Sequence, residues 1–194
     1  SDVYKRQDKD KVYRLAVEGQ KVETPKDAVK DPYVLEFLGL KELPEYSESE
    51  LESRIIDHLQ QFLLELGKGF TFVARQKRFS FEEDHFRVDL VFYNRLLKCF
   101  VLFDLKIGKL KHQDLGQMQM YVNYYDRYEK TEEENPTIGV LLCNEKNDAM
   151  VELTLPEDSN IYASQYKLYL PDKKLLQDKL KEWLQEEGGA EDEI

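Results

Sequence analysis

Asp89, Asp104 and Lys106 are the residues whose types and spacing could do chemistry. They lie within FRVDLVFYNRLLKCFVLFDLKIGKL, residues 86–110, where two apolar runs that should form buried strands carry charge. Burying an ionised group is costly unless it is paired or bound to a metal, so these charges need partners. Side chains alternate faces along a strand, which puts Asp104 and Lys106 on one face of theirs. With the intervening turn centred between Leu96 and Leu97, Asp89 falls opposite Asp104, and two carboxylates and an ammonium meet. Such a cluster suits phosphodiester hydrolysis. Carboxylate oxygens hold Mg2+ or Mn2+, the ion acidifies a bound water and offsets charge on the phosphate, and the ammonium orients the nucleophile or stabilises the transition state. The same spacing also fits a plain Asp–Lys ion pair at a strand end, where the chain turns at Gly108. Spacing alone leaves both readings open.

The surrounding segments predict the frame that would position these groups. SESELESRIIDHLQQFLLELGKG predicts a helix, with Leu51, Ile55, Leu59, Phe62, Leu63 and Leu66 at helical spacing, a Ser-rich start and Gly67 as a stop. FTFVARQKRFSF, FRVDLVFY and CFVLFDLKIG predict three strands joined by turns at EEDH and NRLLK. A helix over DLGQMQMYVNYYDRY follows, then the polar EKTEEENP segment, a short buried strand at TIGVLLC, a strand at NIYASQYKLYL and an amphipathic helix at KKLLQDKLKEWLQEE. DPYVLEFLGL supplies an apolar patch expected to dock on the main domain. The order is helix, three strands, helix, strand, with additions at both ends.

A chain of 194 residues suits one domain with a modest appendage, and 41% hydrophobic with 12% aromatic residues argues for a folded core. No apolar stretch reaches the roughly 18 residues that span a bilayer, and the N-terminus lacks the apolar core of a signal peptide, so a cytoplasmic protein with no membrane partner is expected. Cys99 and Cys143 lie inside apolar runs and read as buried reduced thiols, while His58, His85 and His112 are too scattered to suggest zinc. The net charge of −11 argues at first sight against a nucleic-acid binder. Its distribution does not, because nine basic residues outnumber five acidic ones between Arg75 and His112. Acidity concentrates elsewhere, notably in the tail at 183–194. Residues 1–30 are expected to be a partial N-terminal segment in which DVYKRQ, residues 2–7, reads as a translated sequencing-adaptor end rather than protein.

VDL at 88–90 and FDLK at 103–106, in this element order, resemble the PD-(D/E)XK nuclease superfamily. More narrowly, DPYVLEFLGL, FLLELGKGF, RQKRF, DLVFY, DLKIGKL, GQMQMYVNYYD and NPTIGVLLC together resemble the nuclease domain of the YhcG-type family. The resemblance implies an α/β fold: a restriction-endonuclease-like mixed β-sheet flanked by helices, an α-β-β-β-α-β core with an extra C-terminal strand and helix, spanning 31–182. It implies Asp89 and Asp104 as ligands of Mg2+ or Mn2+, the second where many relatives carry Glu, with the Leu105 carbonyl as a further oxygen and Lys106 as the catalytic lysine. Val88 stands where the superfamily's nominal Pro would be. Glu52 on the first helix is the candidate for supporting a second ion or the base, with Glu65 as competitor and a solvated helix surface as the plain alternative. Gln117 and Tyr121 share a helix face and resemble the Q-x-x-x-Y element of RecB-like nucleases.

Arg75, Gln76 and Arg78, with Lys109 and Lys111, are candidates for a phosphate-contacting rim. The expected function is a metal-dependent DNA endonuclease working through an activated water. A homodimer is a natural arrangement for cutting two strands, and the resemblance suggests a further N-terminal domain in the full-length protein. The alternative is a nucleic-acid-binding or assembly module that keeps the nuclease fold with little or no catalysis.

Overall fold

The computed structural model describes residues 22–39 and 46–168, with residues 181, 182, 184 and 185 placed in a helix. The adaptor-like residues 2–7, most of the 1–30 segment, most of the closing helix and the acidic tail beyond 185 lie outside the described residues. The elements are α1 (Pro25–Ala28), β1 (Tyr33–Val34), a 3-10 turn (Glu36–Leu38), α2 (Glu48–Asp57), α3 (Leu59–Leu66), β2 (Phe70–Phe81), β3 (Asp84–Asn94) and β4 (Cys99–Lys109). Then come α4 (His112–Tyr124), a π turn (Tyr125–Glu129), β5 (Ile138–Glu145), α5 (Asp148–Thr154) and β6 (Ile161–Lys167).

The first long helix starts where the Ser-rich stretch predicts. Ser47 Oγ accepts from the Glu50 amide at 3.2 Å while the Ser47 amide donates to Glu50 Oε2 at 2.9 Å, a reciprocal cap that satisfies two otherwise free donors. The single helix expected from periodicity is two, because His58 leaves helical geometry at φ −116° and ψ 35°. Gly67, at φ 103°, ends the second as expected.

Among the described residues the strands form one mixed sheet in the order β1-β6-β5-β4-β3-β2. The β2–β3 and β3–β4 pairs are antiparallel, and β4–β5, β5–β6 and β1–β6 are parallel. DPYVLEFLGL thus joins the main domain as the edge strand β1. Leu90 pairs with Phe103 and Asn94 with Cys99, the register expected from a turn centred between Leu96 and Leu97. Buried Asn94 locks that turn: its Oδ1 accepts from the amides of Leu96 and Leu97 at 3.0 and 3.1 Å, and its Nδ2 donates to the Lys68 carbonyl at 3.1 Å.

Each face of the sheet buries its own core. On one side Leu51, Ile55 and Phe62 from α2 and α3 pack on Leu90, Phe92, Phe103 and Leu105, with the rings of Phe62, Phe92 and Phe103 5.4 to 6.1 Å apart. On the other, Leu115, Met118 and Val122 of α4 cover Val91, Leu102, Leu141 and Cys143. Strand β5 is buried on both faces, as a parallel strand between helical layers must be. Cys99 and Cys143 are buried free thiols, and burial pushes them up to about 12 and about 11, which leaves little reactive thiolate.

α4 lies tight against β5 at Gly139, where an added Cβ would stand 2.7 Å from Met118 Sδ and 2.9 Å from Val122 Cγ2. Gly139→Val is therefore expected to destabilise the fold by about 1–3 kcal/mol through overpacking, read as a lower urea midpoint. An unchanged midpoint would mean that α4 sits farther from the sheet.

Candidate active site

The β3–β4 ladder stops at Leu90–Phe103, one residue short of the aspartates. Beyond that point β3 continues beside β2, where Val88 pairs with Lys77, and β4 continues beside β5, where Asp104 pairs with Leu141. The gap between the diverging strands is closed by side chains. Asp104 Oδ1 accepts from the Asp89 amide at 3.1 Å, and Asp89 Oδ2 accepts from the Leu105 amide at 2.9 Å. Each carboxylate thus bonds the backbone of the opposite strand through one oxygen, and its other oxygen has no such bond.

These are poor surroundings for two negative charges. Asp104 is 3% exposed, and burial, reinforced by the negative charge of Asp89, pushes its carboxyl up to about 7. Asp89 is raised as well, chiefly by burial and then by Glu52, against the pull of the Leu105 amide, Lys106 and Arg87. The pair therefore holds a proton far more readily than free carboxylates do, which is the signature of a site short of positive charge. Lys106 supplies part of that charge. Its Nζ lies 3.6 Å from Asp114 Oδ1 at the start of α4, and Asp114 Oδ2 is itself fixed by the Lys111 amide at 2.8 Å.

Glu52 reaches this region from α2 and is 2% exposed. Gln76 Nε2 donates to its Oε2 at 3.0 Å, and Arg75 Nε lies 3.4 Å from its Oε1, an oxygen with no hydrogen bond. Consecutive side chains of a regular strand point apart, yet Arg75 and Gln76 converge on one carboxylate. The backbone explains it: Gln76 sits at φ 45°, a left-handed conformation rare for residues other than glycine, at the position the β2–β3 ladder skips between its Arg75–Leu90 and Lys77–Val88 pairs. Strand β3 is irregular at the same level. Val88 packs under α4 while Leu90 packs under α2, so the alternation of faces slips at Asp89. Gln76→Ala keeps a side chain at the same φ but removes the amide, and is expected to cost about 1–3 kcal/mol by stranding a buried carboxylate oxygen. Urea denaturation would measure it, and no loss would mean that Glu52 finds another donor.

A polar cleft of about 280 Å3 opens over the aspartates, lined by Glu48, His85, Arg87, Asp89, Asp104, Lys106, Gln117 and Tyr121. The Tyr121 ring packs edge-on against Phe79 and Phe86 of the hairpin, and burial raises its hydroxyl. Of the other nominated residues, Arg75 and Gln76 meet Glu52. Arg78 pairs with Arg87 across the hairpin, and Lys109 is exposed at the end of β4. Glu65 does not line this cleft: from α3 it accepts from the Val34 amide at 2.9 Å and lies 3.6 Å from Lys30 Nζ. The Leu105 side chain lies in the core beneath α2.

Four cleft or neighbouring groups were not among those nominated: Glu48, His85, Arg87 and Asp114. Glu48 accepts from the Ile107 amide at 3.1 Å and precedes Glu52 by one helical turn, a spacing that could have flagged it. His85 Nδ1 is 2.8 Å from Ser80 Oγ.

Among the described residues no three His, Cys, Asp or Glu side chains close a metal shell by themselves. The donors present still fit a hard divalent cation. Two converging carboxylates with free oxygens, both raised chiefly by burial and then by neighbouring negative charge, match an ion such as Mg2+, which keeps several waters and takes one or two protein carboxylates plus phosphate oxygens.

A protein-family model described as the YhcG PDDEXK nuclease domain matches residues 26–181. The Escherichia coli (strain K12) protein named "Putative nuclease YhcG" is 48% identical over 157 residues, which cover 80% of this chain and 41% of that protein. The chain thus spans less than half the length of this curated relative. Two solved structures overlap in part. A repair endonuclease from Pyrococcus abyssi has 20% identity and a TM-score of 0.45, covering 66% of this chain and 50% of its own. A complex of EndoMS with double-stranded DNA has 16% identity and a TM-score of 0.46, covering 68% and 49%. Both likenesses are too distant to speak to function.

Proposed function

The chain belongs to the YhcG PDDEXK nuclease domain family, and from that premise we propose that it is a divalent-metal-dependent DNA endonuclease domain that hydrolyses phosphodiester bonds with water and no covalent intermediate. The observation that carries the proposal is the pair Asp89 and Asp104, fastened across diverging strands with Lys106 on the same strand as Asp104. Asp89, Asp104 and the Leu105 carbonyl would hold the ion, and Glu52 would support a second ion or the base. Bound Mg2+ or Mn2+ supplies the charge that acidifies a water and offsets that on the phosphate. Lys106, tethered by Asp114, orients the water and stabilises charge that grows on the phosphate. Arg87, Gln117 and Tyr121 line the path of the strand, with Arg78 and Lys109 outside the cleft as weaker phosphate contacts. The nuclease domain is assigned to 31–182 and a homodimer to double-strand cutting.

Purified protein with plasmid, linear duplex, single-stranded and branched DNA is expected to cleave at least one form with Mg2+ or Mn2+ and none with EDTA. Folded protein that cleaves nothing would remove this reading. A second reading, a nucleic-acid-binding or assembly module, draws on the net charge of −11 and on the 59% of the relative's length that this chain leaves uncovered (100 minus the 41% covered). DNA binding that survives EDTA without any cleavage would favour it.

A further inference from the structure

Beside the polar cleft lies a second depression of a different character. It has a volume of about 320 Å3, at the low end for sites that hold a small ring system (~300 Å3), and runs between the β2–β3 hairpin and α4. Aromatic rings build it. Phe79 and Tyr124 stack at 4.1 Å with planes 20° apart, and Tyr124 meets Tyr128 at 5.1 Å. Phe81 and Tyr128 also line it, 53% and 61% exposed. Large aromatics left in solvent on a face with this much shape are unusual for a surface that only faces water.

The depression adjoins the cleft. Phe86 lines both, and Tyr121, on the cleft, packs edge-on against Phe79 at 5.5 Å. A chain held over Asp89 and Asp104 that runs past Phe86 meets these rings. Chemistry says which part of a nucleic acid fits. The hairpin tip carries Glu82, Glu83 and Asp84, which repel phosphates, whereas an uncharged base presents a π-face to aromatic rings. Arg127 at the groove's edge adds a planar cation of the kind that stacks on bases, and the Gln119 and Asn123 amides, bonded to each other at 3.0 Å, add hydrogen-bonding edges.

We propose that this groove binds an unpaired base of the strand whose phosphodiester lies in the adjacent cleft, so that the domain prefers DNA with a single-stranded segment next to the cut. The inference rests on the nucleic-acid reading above and specifies the substrate class. A duplex base cannot enter, because both of its faces are already stacked on neighbouring pairs.

The test uses the full chain carrying Lys106→Ala, with Mg2+ present. Binding is measured by fluorescence anisotropy to a blunt duplex, to the same duplex with a single-stranded tail of either polarity, and to tailed duplexes made abasic in the tail. The tailed duplex is expected to bind about tenfold more tightly than the blunt one. An abasic tail, or Phe81→Ala with Tyr128→Ala in a protein whose melting is unchanged, should remove that gain and leave blunt-duplex affinity as it was. Equal affinity for intact and abasic tails would overturn the groove proposal alone. So would a double variant that keeps the preference, or one whose only change is loss of self-association, which would make the groove a contact between copies. Absence of binding to every DNA would overturn both this proposal and the nucleic-acid reading.

Discussion

Asp104→Asn is expected to make the metal-free protein more stable at pH 8 while abolishing its cleavage activity. The carboxyl is buried and pushed up to about 7 from an ordinary 3.8. Below about pH 4 the group is protonated in both folded and unfolded chains, and nothing is lost. Between about pH 4 and pH 7 the unfolded chain releases the proton and the folded one keeps it, so the native state binds more protons and stability falls as pH rises. Above about pH 7 the penalty is complete. Asparagine is neutral throughout and keeps an oxygen for the Asp89 amide. Urea midpoints of the two metal-free proteins should therefore meet near pH 4 and separate by pH 8, with the variant higher. Asp27, Asp31 and Glu134, whose carboxyls are lowered by hydrogen bonds and nearby cations, change stability in the opposite sense, but they are common to both proteins and cancel. Added Mg2+ should raise the midpoint of the parent and not of the variant. Parallel pH curves would mean that Asp104 meets water.

Lys106→Ala should reduce metal-dependent cleavage by about 10²–10³, the range seen when one preorganised stabiliser of transition-state charge is removed. Both aspartates remain, so the rise in unfolding midpoint on adding Mg2+ or Mn2+ should persist. That split separates a catalytic role from a structural one. Loss of both signals would make Lys106 a structural counter-ion to the aspartates and Asp114, and unaffected cleavage would remove it from the mechanism. Asp114→Asn should give a smaller loss, because the ammonium keeps its charge and loses only its 3.6 Å tether.

The hairpin was legible because period-2 apolar runs flank a loop of polar character, and a wrong register would have turned Phe92 and Phe103 toward the opposite layer. The α-β-β-β-α-β order, the Ser-rich helix start and the Gly67 stop were legible for similarly local reasons. α5 was not, since ten residues of mixed polarity at NDAMVELTLP show too little period to separate helix from loop. The division at His58 left no trace in the spacing of Leu51, Ile55, Leu59 and Phe62, which suits one long helix as well as two. At the site, identity and spacing brought Asp89 and Asp104 to adjacent positions, but the convergence of Arg75 and Gln76 on Glu52 depends on a positive φ at glutamine. No residue type announces that, and only tertiary contacts hold it. Glu48 was hidden for the opposite reason: in SESELES, residues 47–53, each carboxylate reads as solvated.

The crossed bonds of Asp89 and Asp104 to the facing strands also bear on how the sheet is assembled. A slip of β3 against β4 by one residue would leave the buried Asp104 carboxylate, the half-buried Asp89 carboxylate and the two amides they accept from without these partners, on top of the misplaced apolar faces. The two acids therefore work as a key that rejects misthreaded hairpins while the chain folds. Alanine at either position should broaden the set of hairpin alignments, whereas asparagine keeps the acceptor and the key. An inactive form intended to preserve native threading is best made with asparagine.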